Sequence, residues 1–133
     1  MYKDICFING CFDVLHYGHV KLFEFAESLS DTVVVGIDSD HRIRSMKGTS
    51  RPINNQEDRK YILMAIRHIH NVHIYDSEQE LISLIQSLSP STMLIGSDWK
   101  DKPIIGREYV KNLIYFDRIT EYSTTNTLKR MSL

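Results

Sequence analysis

The sequence predicts a three-layer, doubly wound α/β domain, in which a parallel sheet of five strands is covered by helices on both faces. Three observations carry that expectation. Strand-like and helical patterns alternate along the chain, the β-branched runs show no polar alternation, and apolar stripes of helical period fill the intervals between them. Alternating βα units give parallel strands joined by right-handed crossovers, and strands buried on both faces read as continuous apolar runs.

In chain order, Ile5 to Ile8 is a short apolar strand. His19 to Leu29 follows, with Val20, Leu22, Phe23, Phe25 and Ala26 on a helical face. "DTVVVGIDSD" (Asp31 to Asp40) is a buried strand, and a basic loop carrying Arg42, Arg44, Lys47 and Arg51 runs on to Pro52. Gln56 to His70 has the helical period, with Ile62, Leu63, Ala65, Ile66 and Ile69 on its inner side. Val72 to Tyr75 is a strand. "SEQELISLIQSL" opens on a Ser77–Glu80 capping box and carries an apolar stripe at Leu81, Ile82, Leu84, Ile85 and Leu88. "STMLIGSDW" is the fourth strand, Ile105 to Lys111 a short helix, Leu113 to Phe116 the last strand, and Ser123 to Met131 a C-terminal helix.

Composition narrows the function. A hydrophobic fraction of 42% and a charged fraction of 25% are ordinary for a globular chain, and 133 residues suit a single domain. A net charge of -1, with no aromatic-and-basic surface motif, argues against nucleic acid and acidic membrane as partners. Cys6 and Cys11 lie beyond disulfide reach along an extended strand, and no Cys-x-x-Cys suggests zinc or redox work. No apolar run reaches the roughly 18 residues of a membrane span and no secretory leader is visible, so a cytoplasmic location is expected.

The stretch "INGCFDVLHYGHVKLF" is where the strand pattern breaks. It contains no G-x-G-x-x-G and no G-K-[ST], so it is neither a dinucleotide fingerprint nor a P-loop. It has a glycine where the chain leaves the strand, then H-x-G-H at the start of the next helix. Residues three apart on a helical turn share a face, so His16 and His19 can address one ligand. Gly18 between them lets a phosphate or a backbone come close. The unpaired N–H groups and the dipole of a helix N-terminus favour an anion, and imidazole donors there would stabilise charge developing at an attacked phosphorus. A histidine pair could instead ligate a metal, but zinc wants a third ligand and only Asp13 is close. The glycines serve phosphate and not metal.

These residues resemble the H-x-G-H signature of the cytidylyltransferase-like nucleotidyltransferases. The resemblance continues at "KGTSRPINNQEDR" (Lys47 to Arg59), at "IGSDW" (Ile95 to Trp99) and at "RITEYSTTN" (Arg118 to Asn126), in the family's order and over nearly the whole chain. It implies one Rossmann-like domain over residues 1–133, with strand order 3-2-1-4-5 and ligands at the carboxyl ends of the strands. The reaction it implies is transfer of a nucleotidyl group from an NTP to a phosphate monoester, in line and without a covalent enzyme intermediate, releasing pyrophosphate.

By resemblance, His16 and His19 contact the nucleotide phosphates, Lys47 holds the reacting phosphates, and Arg118 supplies a planar fork for phosphate. Gly10, Cys11, Phe12 and Gly18 would line the triphosphate, and Cys11, where many relatives have threonine, keeps the backbone donor without the hydroxyl. Asp98 and Trp99 would sit beside that corner, and Ser123, Thr124 and Thr125 would cap the last helix and bind a β- or γ-phosphate. Asp38 and Arg59 are assigned to the acceptor, against structural alternatives: a turn cap for Asp38, and for Arg59 a helix-surface charge paired with Glu57 or Asp58. No residue set for a metal is readable, and Mg2+ is implied by the chemistry alone.

Two branches of the family compete. Arg118 with Ser123, Thr124 and Thr125, and "GSDW", are similar to glycerol-3-phosphate cytidylyltransferases; "KGTSRPIN" and "STTN" are more like the domain that adenylylates heptose 1-phosphate. Arg118 and Trp99 tilt the expectation towards CTP and a small phosphorylated polyol or sugar. A nucleotide-binding regulator without turnover is the alternative of another class. A homodimer is expected on the resemblance alone.

Overall fold

The computed structural model describes residues 4–117. Arg118, Ser123, Thr124, Thr125 and the expected C-terminal helix lie outside the described residues.

Five strands, β1 (Ile5–Gly10), β2 (Thr32–Asp38), β3 (Asn71–Tyr75), β4 (Thr92–Gly96) and β5 (Asn112–Phe116), form one parallel sheet in the order β3-β2-β1-β4-β5. Helices α1 (Tyr17–Leu29), α2 (Asp40–Lys47), α3 (Gln56–Met64) and α4 (Glu78–Leu88) occupy the connections. This is the fold and the strand order expected from the sequence. The β1–β2 register runs from Ile5 opposite Thr32 to Gly10 opposite Ile37. The β1–β4 register covers Cys6–Thr92 and Phe7–Met93, after which both strands continue without pairing to each other. The order of connections reverses at this pair, so the parting strands open a crevice at their carboxyl ends.

Strand side chains alternate between two cores. Cys6, Ile8, Val33, Val35 and Ile37 face Phe23 and Ala26 of α1 and Leu63 of α3. Phe7, Val34 and Met93 face Leu81 and Ile85 of α4 and Val110. Both faces are therefore buried, which is why β2 has no polar alternation. Each fully buried Phe, Ile or Leu contributes roughly 1.5–3 kcal/mol of transfer free energy.

Four expectations need correction. The "basic loop" is in part helical: Ser39 Oγ accepts from Arg42 N at 3.2 Å, Asp40 sits in the first turn, Arg44 and Lys47 in the last, and Gly48 ends it at φ 95°. With Ile43 as its one buried residue, α2 shows no apolar stripe to read. The helix expected to reach His70 ends at Met64, and tight turns follow, with Ile66 N bonding Leu63 O and Ile69 N bonding Ile66 O. Ile62 and Ala65 are consequently exposed, while Leu63 and Ile69 are buried. The short helix expected from Ile105 shrinks to one 3₁₀ turn, Arg107–Tyr109, because Gly106 takes φ 86° where a Cβ would collide with Ile85. In the Ser77–Glu80 capping box only one arm forms as expected: Ser77 Oγ accepts from Glu80 N, but the Glu80 carboxylate accepts from Asp76 N.

Candidate functional site

The chain leaves β1 at Gly10 and turns through Cys11 and Phe12, whose φ of 48° lies in the left-handed region. The buried Phe12 ring packs on Phe23 and edge-on against the His19 ring. A Cβ on Gly10 would lie 3.2 Å from that ring, so the glycine leaves room for Phe12 to fold back under the corner.

His16 is the N-cap of α1, with extended backbone at φ -142° and ψ 179°. Its Nδ1 accepts from Gly18 N at 3.1 Å, and His19 Nδ1 accepts from His16 N at 3.1 Å. Together they build a reciprocal capping box out of two imidazoles, whose rings stack with centroids 3.8 Å apart. Because each Nδ1 accepts a backbone N–H, the neutral ring carries its proton on Nε2. The pair therefore forms two ring donors at a helix N-terminus, an arrangement suited to phosphate oxygens. The sequence brings both histidines to one face; their capping of each other was not legible in it.

Lys47, exposed at the end of α2, reaches the Cys11 thiol across the corner. Burial and then the Asp38 carboxylate push that thiol up from its ordinary value, partly offset by the Lys47 ammonium. The thiol is thus protonated at neutral pH and is no thiolate nucleophile. Cys11 Sγ lies 3.5 Å from Asp38 Oδ2, and Arg42 Nε donates to Asp38 Oδ1 at 2.9 Å. The Arg42 guanidinium also lies over the Tyr75 ring, and Asn9 Nδ2 donates to Tyr75 Oη at 3.4 Å. Burial, reinforced by Asp38, pushes the Tyr75 phenol well above its usual range. Asp38 is therefore the buried hub of a network at the ends of β1, β2 and β3.

Two further polar residues are almost wholly buried. Asp13 accepts from Ile53 N at 2.8 Å, Asn54 N at 2.9 Å and Arg51 Nε at 3.0 Å, while its own carbonyl accepts from Asn54 Nδ2. Burial would raise its carboxyl, but the Asn54 and Ile53 N–H groups and then Arg51 outweigh burial and hold it below the usual carboxylate value. All of its capacity is spent on the α2–α3 connection, so it is not available as the third ligand of a histidine metal site. Arg59 has a side chain 0% exposed, and donates to Cys11 O, Asp38 O, Asn54 O and Asp40 Oδ1 at 2.8–3.0 Å. Its pairing with Glu57 or Asp58 on a helix surface is ruled out by that burial.

Across the crevice, β4 ends in a 3₁₀ turn, Ser97–Trp99. The Asp98 carboxylate folds back over Gly96, where a Cβ would come within 2.6 Å of Oδ1. Trp99 is 46% exposed, with Lys102 Nζ 5.5 Å from its ring centroid, so it is not a packing residue. The structure thus gathers Gly10, Cys11, Phe12, His16, Gly18, His19, Asp38 and Lys47 at the ends of β1 and β2 and puts Asp98 and Trp99 at the end of β4. A groove of about 740 Å³, lined by Asp40, His41, Arg44, Asn55, Asp58 and Asp76 among others, holds neither histidine of the pair nor Lys47. Missed in the sequence were the roles of Asp13, Arg51 and Asn54, which have no local pattern and are defined by a contact across some 40 residues.

Among the described residues, no group of three or more His, Cys, Asp or Glu could hold a metal ion, and no helix is long and apolar enough to cross a membrane.

The cytidylyltransferase-like family model matches residues 7–130. Bifunctional protein HldE of Aliarcobacter butzleri is 42% identical over 131 residues, which is 97% of this chain and 27% of that protein. The HldE of Campylobacter concisus is 40% identical over 129 residues, again 97% of this chain and 27% of the relative. The chain thus spans about a quarter of the length of these curated relatives. Among solved structures, the lipopolysaccharide core biosynthesis protein from Thermoplasma volcanium superposes with a TM-score of 0.67 at 19% identity, over 90% of this chain and 98% of that one. Pantoate-beta-alanine ligase from Thermus thermophilus gives 0.61 at 13% identity, over 97% of this chain and 65% of that one. These two likenesses establish the fold, and the family match adds the corner itself, since it runs through His16, His19 and Lys47 to the far side of β5. The chain belongs to the cytidylyltransferase-like family of nucleotidyltransferases.

Proposed function

We propose that this chain transfers the adenylyl group of ATP to a heptose 1-phosphate, releasing pyrophosphate. The observation that carries the transfer chemistry is the reciprocally capped histidine pair, which holds two Nε2–H donors at the head of α1. The choice of ATP and heptose 1-phosphate is supported by the curated relatives, which carry the HldE name of the heptose-1-phosphate adenylyltransferase branch. The sequence tilt towards CTP and glycerol 3-phosphate rested on Arg118 and Trp99; the relatives favour the other branch.

In this mechanism an oxygen of the acceptor phosphate attacks the α-phosphorus in line. The new phosphorus–oxygen bond forms as the bond from α-phosphorus to the bridging oxygen breaks, and the electron pair leaves with pyrophosphate. No enzyme nucleophile is needed, in keeping with the protonated Cys11 thiol. His16 and His19 donate to oxygens on which charge develops, the Cys11–Phe12 backbone lines the triphosphate, and Lys47 neutralises the reacting phosphates from the α2 side. Mg2+ would be held mainly by the phosphate oxygens themselves, since the described residues form no ligand trio of their own.

Lys47→Ala is expected to lower kcat/KM by about 10²-fold, the scale of one lost electrostatic contact to the transition state. Because Lys47 is exposed, unfolding free energy should change by no more than about 0.5 kcal/mol. Steady-state pyrophosphate release and thermal melting check both halves. The substrate assignment is tested by offering each of the four NTPs with heptose 1-phosphate and with glycerol 3-phosphate. Release confined to ATP with heptose 1-phosphate is the expected result. CTP with glycerol 3-phosphate as the preferred pair would return the assignment to the other branch, and tight NTP binding with no release from any pair would favour a regulator.

A further inference from the structure

We propose that Arg59 is a positioning residue that aims the phosphate-binding backbone of the corner, rather than a ligand of the acceptor. The proposal rests on the nucleotidyl-transfer reading for its kinetic consequences, but its structural basis is independent of substrate. Burying a guanidinium costs several kcal/mol unless its donors are matched, and here they are matched by four acceptors from separate stretches of chain. Cys11 O follows the end of β1, Asp38 O closes β2, Asp40 opens α2, and Asn54 O precedes α3. The strand-end carbonyls would otherwise be left without partners where the chain turns away from the sheet.

The consequence lies in the peptide plane. In a trans peptide the C=O and the following N–H point in opposite directions. Arg59 holds Asp38 O at 2.8 Å, so Ser39 N–H must point away from the guanidinium; it does, donating to Tyr75 O at 3.0 Å. The same grip on Cys11 O at 3.0 Å turns Phe12 N–H away from Arg59 and the β2 side. Phe12 keeps that orientation at the unusual φ of 48° because its ring is pinned between Phe23 and His19. One buried arginine therefore sets the direction of the Phe12 donor and, through Asp40, the start of the helix that ends in Lys47. With its side chain 0% exposed, Arg59 offers nothing to an acceptor.

Arg59→Lys keeps the charge but cannot span four acceptors, and Arg59→Met removes it. Steady-state kinetics with ATP and heptose 1-phosphate should show kcat/KM for the nucleotide falling at least about 30-fold in Arg59→Lys, with the acceptor KM within about 3-fold of native. An acceptor KM raised more than about 10-fold, with nucleotide kcat/KM retained, would overturn the proposal in favour of a ligand role. Native-level kinetics in Arg59→Lys would overturn it as well. Amide hydrogen exchange supplies a readout that needs no turnover and covers Arg59→Met if that variant is poorly active. Exchange should rise about 10-fold or more over residues 11–13 and 53–54 while β2 stays protected. Equal protection at the corner in both variants would sink the proposal even if the native enzyme accepted no tested substrate pair; absence of native turnover with the exchange change present would instead indict the substrate assignment.

Discussion

His16→Asn is expected to lower turnover by about 10²–10³-fold while leaving unfolding free energy within about 0.5 kcal/mol of the native protein. The two effects separate because His16 has two jobs. As N-cap it accepts from Gly18 N, and asparagine caps a helix as well as any residue. As ring donor it carries Nε2–H beyond the cap, a reach the shorter asparagine lacks. His16→Ala removes both jobs and should add a stability loss of about 1 kcal/mol, the ordinary value of a lost N-cap. His19→Ala breaks the reciprocal arm to His16 N and the edge contact with Phe12, so its turnover loss should also come with lower stability. Melting curves and pyrophosphate release on the three variants separate cap from catalyst. If His16→Asn turned over at the native rate, the ring donors would have no part in the chemistry.

Asp13→Asn should destabilise the protein by about 3–5 kcal/mol, the cost of breaking a buried ion pair from one side. The Asp13 side chain is 0% exposed and Arg51 only 15%, so the arginine left behind has little water to turn to. The new amide NH2 would also face N–H donors from Ile53, Asn54 and Arg51. The loss is a large part of the roughly 5–15 kcal/mol that holds a domain of this kind folded. Its pH dependence has a definite sign. The Asp13 carboxyl is held below its ordinary value, so its contribution is complete above the unfolded pKa of about 4 and is lost as pH falls through the depressed native value. The native protein's advantage over Asp13→Asn should be constant from neutral pH down to about pH 5 and shrink below about pH 4. Urea titrations at several pH values read it directly, and an advantage that grew towards low pH would contradict the assignment.

Much of this was legible in the sequence, for physical reasons that also mark where legibility ends. The strands were readable because burial on both faces removes polar alternation, as in Val33, Val34 and Val35. The corner stood out because Gly10 breaks the strand pattern just before H-x-G-H, but the structural use of the two histidines, capping α1 reciprocally, was not legible. Helix α2 was not, since eight residues with one buried apolar side chain carry no periodicity. The end of α3 was misplaced because Leu63, Ile66 and Ile69, three apart, suit a helix and a run of tight turns equally. Arg59 and Asp13 were noticed for their charge but not for their partners. Apart from Asn54 O, five residues away, the partners of Arg59 lie 19 to 48 residues off and those of Asp13 lie 38 to 41 residues off, separations that no local pattern encodes.

In the proposed reaction the corner directs attack to the α-phosphorus of a nucleotide. ATP labelled at the α-phosphate, and separately at the γ-phosphate, supplied with heptose 1-phosphate and the native chain, reads the position of bond cleavage. The α label should appear in the nucleotidyl sugar and the γ label in pyrophosphate, with both transfers lost together in His16→Asn. Appearance of the γ label on the acceptor would mean phosphoryl and not nucleotidyl transfer, and would contradict the mechanism at its centre.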